Sequence, residues 1–202
     1  REVTMRLQHE DMSAIDYVFC WLGNADLLLA IIKLIEDKMN LKHDVEESGV
    51  QAILLVEDSV RYYSSYLPYI YKILFQQSKR SVLEGLNEHQ KMMLMRGRPK
   101  MILATNYNEA ERLFLKNKEN LIGVISDISF NKDGVKDPEA GIKLFNKVRS
   151  EDKHMPFLLQ SSDVQYESIA QKLGIAFINK YSKTLSIELR NYIIRHLAFG
   201  DF

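Results

Sequence analysis

Two adjacent carboxylates, Glu57 and Asp58, directly follow an unbroken apolar run at residues 53–56 (ILLV). Such a run, ending in a polar turn, is typical of a parallel strand buried on both faces. The two acids would then lie at the carboxyl end of the strand, where open α/β sheets bind their ligands. Carboxylates at that edge can hold a divalent cation. An alternative is structural only, because Asp58 or Ser59 could cap a helix that begins near Val60.

Three later apolar runs also end in polar side chains, which are Asp127, Ser161 and Lys180 in chain order. If all four strands are parallel neighbours, an acid pair, an acid, a hydroxyl and an ammonium group face one crevice. Taken alone, Ser161 could equally be the cap of the helix that follows it.

The elements that must position these groups alternate along the chain. Apolar strands at about 51–56, 100–105, 121–127, 157–161 and 175–180 are each followed by a helical pattern. This alternation predicts an α/β fold, a doubly wound five-stranded parallel sheet in the flavodoxin-like order 2-1-3-4-5. Within the first long helical stretch, Pro68 predicts a kink or a restart, and a second helix is expected over 81–95. A loop is expected over 129–138.

The ordered set of Glu57 and Asp58, Asp127, Ser161 and Lys180 resembles the response-regulator receiver domain, the phospho-acceptor half of bacterial two-component signalling. The resemblance covers roughly residues 51–197 and rests on the order and strand-end placement of these residues. It implies a histidine kinase or a phosphotransfer protein as the partner that donates the phosphoryl group, and a docking surface that changes on phosphorylation.

The resemblance implies a role for each reacting residue. Asp127 would be the phospho-acceptor, Lys180 would pair with the phosphoryl group, and Ser161 would donate a hydrogen bond to it. Phe177 lies three residues before Lys180, at the position of the family's switch aromatic. Taken alone, Phe177 could also be an ordinary strand side chain.

The resemblance also implies Mg²⁺ as the cofactor, because the carboxylate and the phosphoryl group that must meet are both anions. Asp58 and Asp127 would be direct carboxylate ligands, Glu57 would act through water, and the backbone carbonyl of Ser129 would supply another oxygen. Mg²⁺ prefers such oxygen ligands and keeps several waters.

The first 42 residues lie outside this set. A short strand over 17–21 and a helix that begins at Asp26 are predicted there, and the same pattern recurs at the end of the chain. This piece is either the end of a truncated preceding receiver-like unit or an N-terminal strand-helix extension that packs on the receiver or on a second copy. The predicted organisation is therefore this extension over 1–42, an acidic linker over 43–50, and a receiver domain over 51–199 with a helical insert at about 76–98.

Composition narrows the class of partner and the compartment. The 202 residues include 27 Lys and Arg and 27 Asp and Glu, without a basic stripe, which argues against nucleic acid as the partner. The single cysteine, Cys20, cannot form an internal disulfide, and no apolar run is long enough for a signal peptide or a membrane span. We therefore expect a cytoplasmic protein without a membrane association.

The chain begins with Arg1 rather than Met, so we expect it to be part of a longer protein. Residues 27–40 and 53–75 also resemble the N-terminal regulatory region of large phosphoenolpyruvate synthase or pyruvate, phosphate dikinase-like proteins of Bacteroides-type bacteria. This resemblance implies an output domain, including a phosphotransferase domain, elsewhere in that parent protein.

Two functions remain open at this point. The first is a Mg²⁺-dependent phosphoprotein switch, whose only catalysis is transfer to its own Asp127 and slow hydrolysis there. The second is a degenerate receiver that acts only as a protein interaction or dimerisation module. The three groups Asp58, Asp127 and Lys180 favour the switch, whereas the long insert over 60–98 and the extended loop after Asp127 leave the module open.

Overall fold

The computed structural model describes residues 15–84 and 97–197. Its strands are β1 (Ala52–Val56), β2 (Lys100–Ala104), β3 (Leu121–Asp127), β4 (Phe130–Lys132), β5 (Val135–Asp137), β6 (Phe157–Ser161) and β7 (Ala176–Asn179). Its helices are α1 (Asp26–Leu41), α2 (Val60–Glu84), α3 (Tyr107–Asn117), α4 (Ala140–Glu151), α5 (Gln165–Leu173) and α6 (Leu185–His196). A π-helical turn (Lys42–Glu47) follows α1, and a 3₁₀ turn (Lys118–Asn120) follows α3.

The main sheet has five parallel strands in the order β2-β1-β3-β6-β7. When only these strands are counted along the chain, the order is 2-1-3-4-5, so the predicted α/β flavodoxin-like fold is confirmed. Every residue of β1 and β6 is buried, because helices cover both faces of the sheet. This burial explains why β1 and the first three residues of β6 are continuous apolar runs without alternation.

The helices form two layers around this sheet. Helices α3, α4 and α5 pack on the face that includes Leu54, Val124 and Leu159. Helices α1, α2 and α6 pack on the other face, against side chains such as Ile53 and Ile125. The helix predicted after residue 25 therefore packs on the same sheet as the other helices.

A buried charge network attaches α1 to the sheet. The Asp37 carboxylate accepts hydrogen bonds from Arg98 Nη2 at 2.6 Å and Nη1 at 3.0 Å. It also accepts from the Tyr71 hydroxyl at 2.9 Å and from the Met101 backbone N–H at 3.0 Å. Because these donors come from different elements, the buried carboxylate links α1 to α2, to β2 and to the loop that precedes β2.

The segment over 17–21, predicted as a strand, is instead an extended segment outside both sheets. It lies along α2, where the Cys20 N–H donates to Ser64 Oγ at 3.0 Å and the Tyr63 hydroxyl donates to the Val18 carbonyl. Phe19 packs edge-on against the Tyr63 ring. Residues 17–20 are therefore partly buried by packing on α2, whereas Trp21 is exposed, and the backbone of the segment forms no ladder.

Helix α2 continues through Pro68 and does not restart there. Tyr66, Leu67 and Ile70 on either side of the proline are fully buried. Their packing offsets the cost of roughly 3 kcal/mol that an internal proline imposes on a helix. The insert predicted at about 76–98 begins as the last turns of α2, and most of the second helix predicted over 81–95 lies outside the described residues.

The loop expected over 129–138 is a β-hairpin of β4 and β5. Its two turn residues, Asp133 and Gly134, have positive φ angles of 51° and 80°. Two such residues in a two-residue connection are typical of a type I′ turn, for which Asp-Gly is a preferred pair. The sequence therefore contained a hairpin signal that the loop prediction overlooked.

Among the described residues, no helix is both long enough and apolar enough to cross a lipid bilayer.

Candidate metal-binding site

Three carboxylates meet at the carboxyl ends of the two central strands. Glu57 and Asp58 directly follow β1, and Asp127 is the last residue of β3. These strands are parallel neighbours with Val56 opposite Ser126. One oxygen from each of the three acids lies within 4.8 Å of the others. The sheet thus brings together the three acids that the sequence placed at one edge.

Lys180 reaches the same edge from the end of β7. Its Nζ lies 2.6 Å from Glu57 Oε2 and 2.8 Å from Asp127 Oδ2. The Lys180 side chain is only 2% exposed, so its charge would be costly to bury without these partners. The ammonium group therefore bridges the two strands that carry the acids.

Asp58 faces a different cation. Its Oδ2 lies 2.7 Å from Nζ of Lys136, which is on β5 of the hairpin. The Lys136 side chain is 53% exposed, whereas that of Asp58 is 17% exposed. Asp58 thus forms the outer wall of the site and pairs with Lys136, rather than serving only as the helix cap considered from the sequence.

The backbone around Asp127 is held in place by α4. The Ile128 N–H donates to Asp127 Oδ1 at 2.7 Å, and the Ile128 carbonyl accepts from the Gly141 N–H at 2.8 Å. A Cβ atom at Gly141 would lie 2.2 Å from the Asp127 carbonyl oxygen. Only glycine allows the first turn of α4 to approach the end of β3 this closely.

An aromatic ring covers the lysine. The Tyr62 ring centroid lies 4.3 Å from Lys180 Nζ, a cation–π contact, and the Tyr62 ring stacks on that of Tyr66 at 6.0 Å. Burial, followed by hydrogen bonding to Tyr181, raises the pKa of Tyr62 to about 12. The phenol therefore stays neutral at physiological pH and adds no charge to the site.

Burial also changes the titration of Glu57, which has no solvent-exposed surface. It raises the pKa of the Glu57 carboxyl to about 7, and the nearby Asp127 charge acts in the same direction. The Lys180 ammonium and the Ser59 N–H oppose the rise, because both favour the ionised form. Without a bound cation, the inner part of the site thus holds a carboxyl that resists ionisation.

Ser161 lies beside these groups, whereas Phe177 packs away from them. Ser161 ends β6, its Oγ accepts from the Asp163 N–H at 3.1 Å, and its carbonyl accepts from the Lys180 N–H at 2.8 Å. Phe177 lies opposite Leu159 in the β6–β7 ladder, half-buried against the core under α3, α4 and α5. Ser129 lies between β3 and β4, in the short connection that follows Asp127.

The donor set fits a hard divalent cation. Carboxylate oxygens are the ligands that Mg²⁺ and Ca²⁺ prefer, and the three acids offer no sulfur or imidazole for softer metals. When all three acids are ionised, their negative charges are only partly balanced by Lys180 and Lys136. These residues could therefore hold such an ion at the carboxyl ends of β1 and β3.

Sequence reasoning missed three residues of this site: Tyr62, Lys136 and Gly141. Tyr62 lies in the first turn of the helix that directly follows the acids, so the predicted helix start near Val60 could have placed it close to them. The Asp-Gly turn could have indicated the hairpin that carries Lys136. The close approach of Gly141 depends on how α4 packs on β3 and has no signal in the local sequence.

No protein-family model matches the chain, and no curated protein matches its sequence. Solved structures do match it. The non-phosphorylated HemR receiver domain from Leptospira biflexa is 23% identical, with a TM-score of 0.44, over 74% of this chain and 95% of that chain. A response regulator receiver domain protein from Clostridium thermocellum is 19% identical, with a TM-score of 0.43, over 72% and 95% of the two chains.

The response regulator TrrA from Thermotoga maritima, solved in complex with Mg²⁺-BeF, is 17% identical, with a TM-score of 0.40, over 70% and 98% of the two chains. The receiver domain of the hybrid histidine kinase CckA also matches, at 19% identity and a TM-score of 0.36, over 70% of this chain and 98% of that chain. These four structures are all of response regulators or receiver domains.

Proposed function

We propose that this chain is a phospho-acceptor receiver domain of a two-component or phosphorelay system, phosphorylated at Asp127. The observation that carries the proposal is the convergence of Glu57, Asp58, Asp127 and Lys180 at one edge of the sheet. Here three carboxylates share two lysines, which leaves room for a further cation.

The chemistry assigned to Asp127 is nucleophilic. A carboxylate oxygen of Asp127 attacks the phosphorus of a phosphohistidine, the P–N bond breaks, and its electron pair returns to the imidazole nitrogen, which takes up a proton. The product is an acyl phosphate on Asp127. Lys180 already contacts Asp127 Oδ2, so its ammonium group is in place to pair with a phosphoryl oxygen. Catalysis is limited to phosphoryl transfer to Asp127 and the later hydrolysis of this acyl phosphate.

Mg²⁺ is the cofactor we assign to the site. Asp58 and Asp127 would bind it directly, Glu57 through water, and Ser129 through its backbone carbonyl. When bound, the ion would reduce the repulsion between the carboxylate and the incoming phosphoryl group. The support for this assignment is the all-oxygen donor set at the ends of β1 and β3.

The signal would leave the site through Ser161 and Phe177. The Ser161 hydroxyl would donate a hydrogen bond to the phosphoryl group, and the Ser161 carbonyl accepts a hydrogen bond from the Lys180 N–H. Movement of this segment would alter the surface near the half-buried Phe177 and so change docking to an output domain of the same or another chain. The phosphoryl donor would be a histidine kinase or a phosphotransfer protein in the cytoplasm.

Beryllofluoride, an analogue of a carboxylate-bound phosphoryl group, tests the proposal. We expect a rise in the melting temperature of the wild type that requires both Mg²⁺ and beryllofluoride and is absent in Asp127→Asn. Asp133→Asn is the matched control, because this carboxylate lies on the hairpin and bonds Asn108. No response in the wild type would overturn the phospho-acceptor function.

A second candidate function is a docking or dimerisation module, and one face of α1 favours it. The side chains of Leu28, Ile32, Ile35 and Met39 are exposed and recur at intervals of four, three and four residues. This is the spacing of a coiled-coil seam, which suits a matching helix. The partner we assign is α1 of a second copy of this chain, giving a homodimer.

Light scattering over a concentration series tests this second function. We expect the wild type to dimerise and Ile32→Gln to shift the equilibrium toward monomer. Glu36→Gln is the control, since this exposed residue pairs with Lys33 on the same helix. A wild type that stays monomeric at all concentrations would exclude the homodimer without bearing on Asp127.

A further inference from the structure

The β4–β5 hairpin is a defined element that presents one lysine to the acidic site. The Asn108 amide donates to Asp133 Oδ1 at 2.8 Å, which ties the hairpin turn to the start of α3. At its other end, Asp137 pairs with Lys143 of α4 at 2.6 Å. Between these two anchors, Lys136 reaches Asp58.

We propose that Lys136 is a tethered cation that competes with a divalent cation for Asp58. Without the divalent cation, the Lys136 ammonium group pairs with Asp58 at 2.7 Å. When the divalent cation binds, Lys136 leaves Asp58 and its charge moves into solvent. The hairpin thereby sets the cation affinity of the site. This inference rests on the cation site of the proposed function.

Charge balance supports the exchange. The three acids carry three negative charges when ionised, and Lys180 and Lys136 supply two positive charges. A divalent cation added to this set would leave one excess positive charge. The set becomes neutral if one ammonium group departs.

Burial decides which ammonium group departs. Lys180 is 2% exposed, lies between two carboxylates and is covered by the Tyr62 ring. Lys136 has its partner Asp58 at the rim, and half of its side chain is already in water. An exposed ion pair contributes little to stability and can be broken at small cost. Lys136 is therefore the ammonium group that a divalent cation displaces, and Lys180 stays in place.

The hairpin itself need not move for this exchange. The neighbouring Asp137 is held by Lys143 and accepts the Glu139 N–H at 3.0 Å, so the backbone at this end of β5 is restrained. Rotation of the four-carbon Lys136 side chain is sufficient. A substitution at position 136 should thus change cation affinity while the fold is kept.

Titration calorimetry with Mg²⁺ tests the inference on the whole chain. Lys136→Met should bind Mg²⁺ roughly three- to tenfold more tightly than the wild type, as expected for removal of a weak ion pair and of like-charge repulsion. Lys132→Met is the control: it has the same charge change on the same hairpin, but Lys132 Nζ lies 4.2 Å from the Tyr107 ring centroid. Lys136→Arg, which keeps the charge, should bind like the wild type.

A double variant separates competition at Asp58 from a general charge effect. In an Asp58→Asn background, Lys136→Met should raise Mg²⁺ affinity by less than it does in the wild type, because only the like-charge repulsion is left to remove. Equal affinity of Lys136→Met, Lys132→Met and the wild type would overturn the role of Lys136 while leaving the proposed cation site intact. Weaker binding by Lys136→Met would also overturn it. If no variant bound Mg²⁺, both this inference and the metal step of the proposed function would be overturned.

Discussion

Gly141 packs directly against the backbone of Asp127: a Cβ atom at position 141 would lie 2.2 Å from the Asp127 carbonyl oxygen and 2.9 Å from the Ile128 Cα. The residue proposed to accept the phosphoryl group is therefore positioned by contact between the end of β3 and the first turn of α4. A side chain at this glycine would push on backbone atoms, which cannot rotate away as a flexible side chain would.

Gly141→Ala should destabilise the protein by about 1–3 kcal/mol, the usual cost of overpacking. In an ordinary helix the same change stabilises by up to about 1 kcal/mol, so the sign itself distinguishes the two effects. We also expect weaker Mg²⁺ binding, since Asp127 would shift. Urea unfolding and calorimetry measure both quantities. Asn146→Ala, at an exposed position of α4, should be neutral or slightly stabilising, and equal behaviour of the two variants would contradict the prediction.

Tyr62 should act through its ring, which lies 4.3 Å from Lys180 Nζ. Tyr62→Phe keeps the ring and should bind beryllofluoride in the presence of Mg²⁺ much like the wild type. Tyr62→Ala removes a contact worth about 0.5–2 kcal/mol and should bind it roughly two- to thirtyfold more weakly. Tyr69→Ala serves as the control, because Tyr69 is an exposed tyrosine on the same helix. Equal affinities of Tyr62→Phe and Tyr62→Ala would show that the ring does not position the lysine.

Glu57 should make the stability of the protein depend on pH. Burial and the Asp127 charge raise its pKa from 4.5 to about 7 in the folded protein. Because the folded pKa is the higher one, the stabilisation by this group is complete below about pH 4.5 and is lost as the pH rises through about 7. We therefore expect the Glu57 contribution to the free energy of unfolding, measured without divalent cations, to fall between about pH 5 and pH 8.

Denaturant unfolding at several pH values, on the wild type and on Glu57→Gln, isolates this contribution. Glutamine keeps the shape of the side chain and cannot ionise, so the difference between the two proteins should follow the titration of Glu57. Saturating Mg²⁺ should reduce the dependence, because a bound cation favours the ionised carboxylate. A wild-type profile parallel to that of Glu57→Gln would refute the prediction.

Asp37→Ala should be strongly destabilising, by about 3–5 kcal/mol, as is typical when one partner of a buried ion pair is removed. The change would leave Arg98 buried without its bidentate partner and would release α1 from β2. In the wild type, burial and then the charge of Asp37 raise the pKa of Tyr71 well above the usual range. Urea unfolding measures the loss. The neighbouring exposed Glu36, changed to alanine, should alter stability by less than about 0.5 kcal/mol.

The strand ends of the candidate site could be predicted from sequence because each depends on local information. A parallel strand buried on both faces must be a continuous apolar run, so the residue at which that run ends is visible without a structure. The alternation of five such strands with helical patterns also predicted the sheet order correctly. The end of α5 at Gly174, whose φ is 66°, also depends on local information, since a left-handed residue there calls for glycine.

The apolar segment at 17–21 shows where local pattern stops being sufficient. A short apolar run is equally compatible with a strand and with an extended segment packed on a helix, and only the availability of a free sheet edge decides between them. Here the segment is held by Ser64 and Tyr63 of α2. Likewise, the proline penalty in α2 was outweighed by packing that no local pattern contains.

The sequence by itself determined the identity and order of the groups at the edge of the sheet: the acids of β1 and β3, the hydroxyl after β6 and the lysine after β7. Tertiary structure alone decided which charges pair, because Lys180 with Glu57, Lys136 with Asp58, and Arg98 with Asp37 are separated by 61 or more residues. Pairing of this kind depends on distances set by the packing of whole helices and hairpins against the sheet. Tertiary structure also decided that residue 141 must be glycine, since the close backbone approach exists only once α4 has packed on the end of β3.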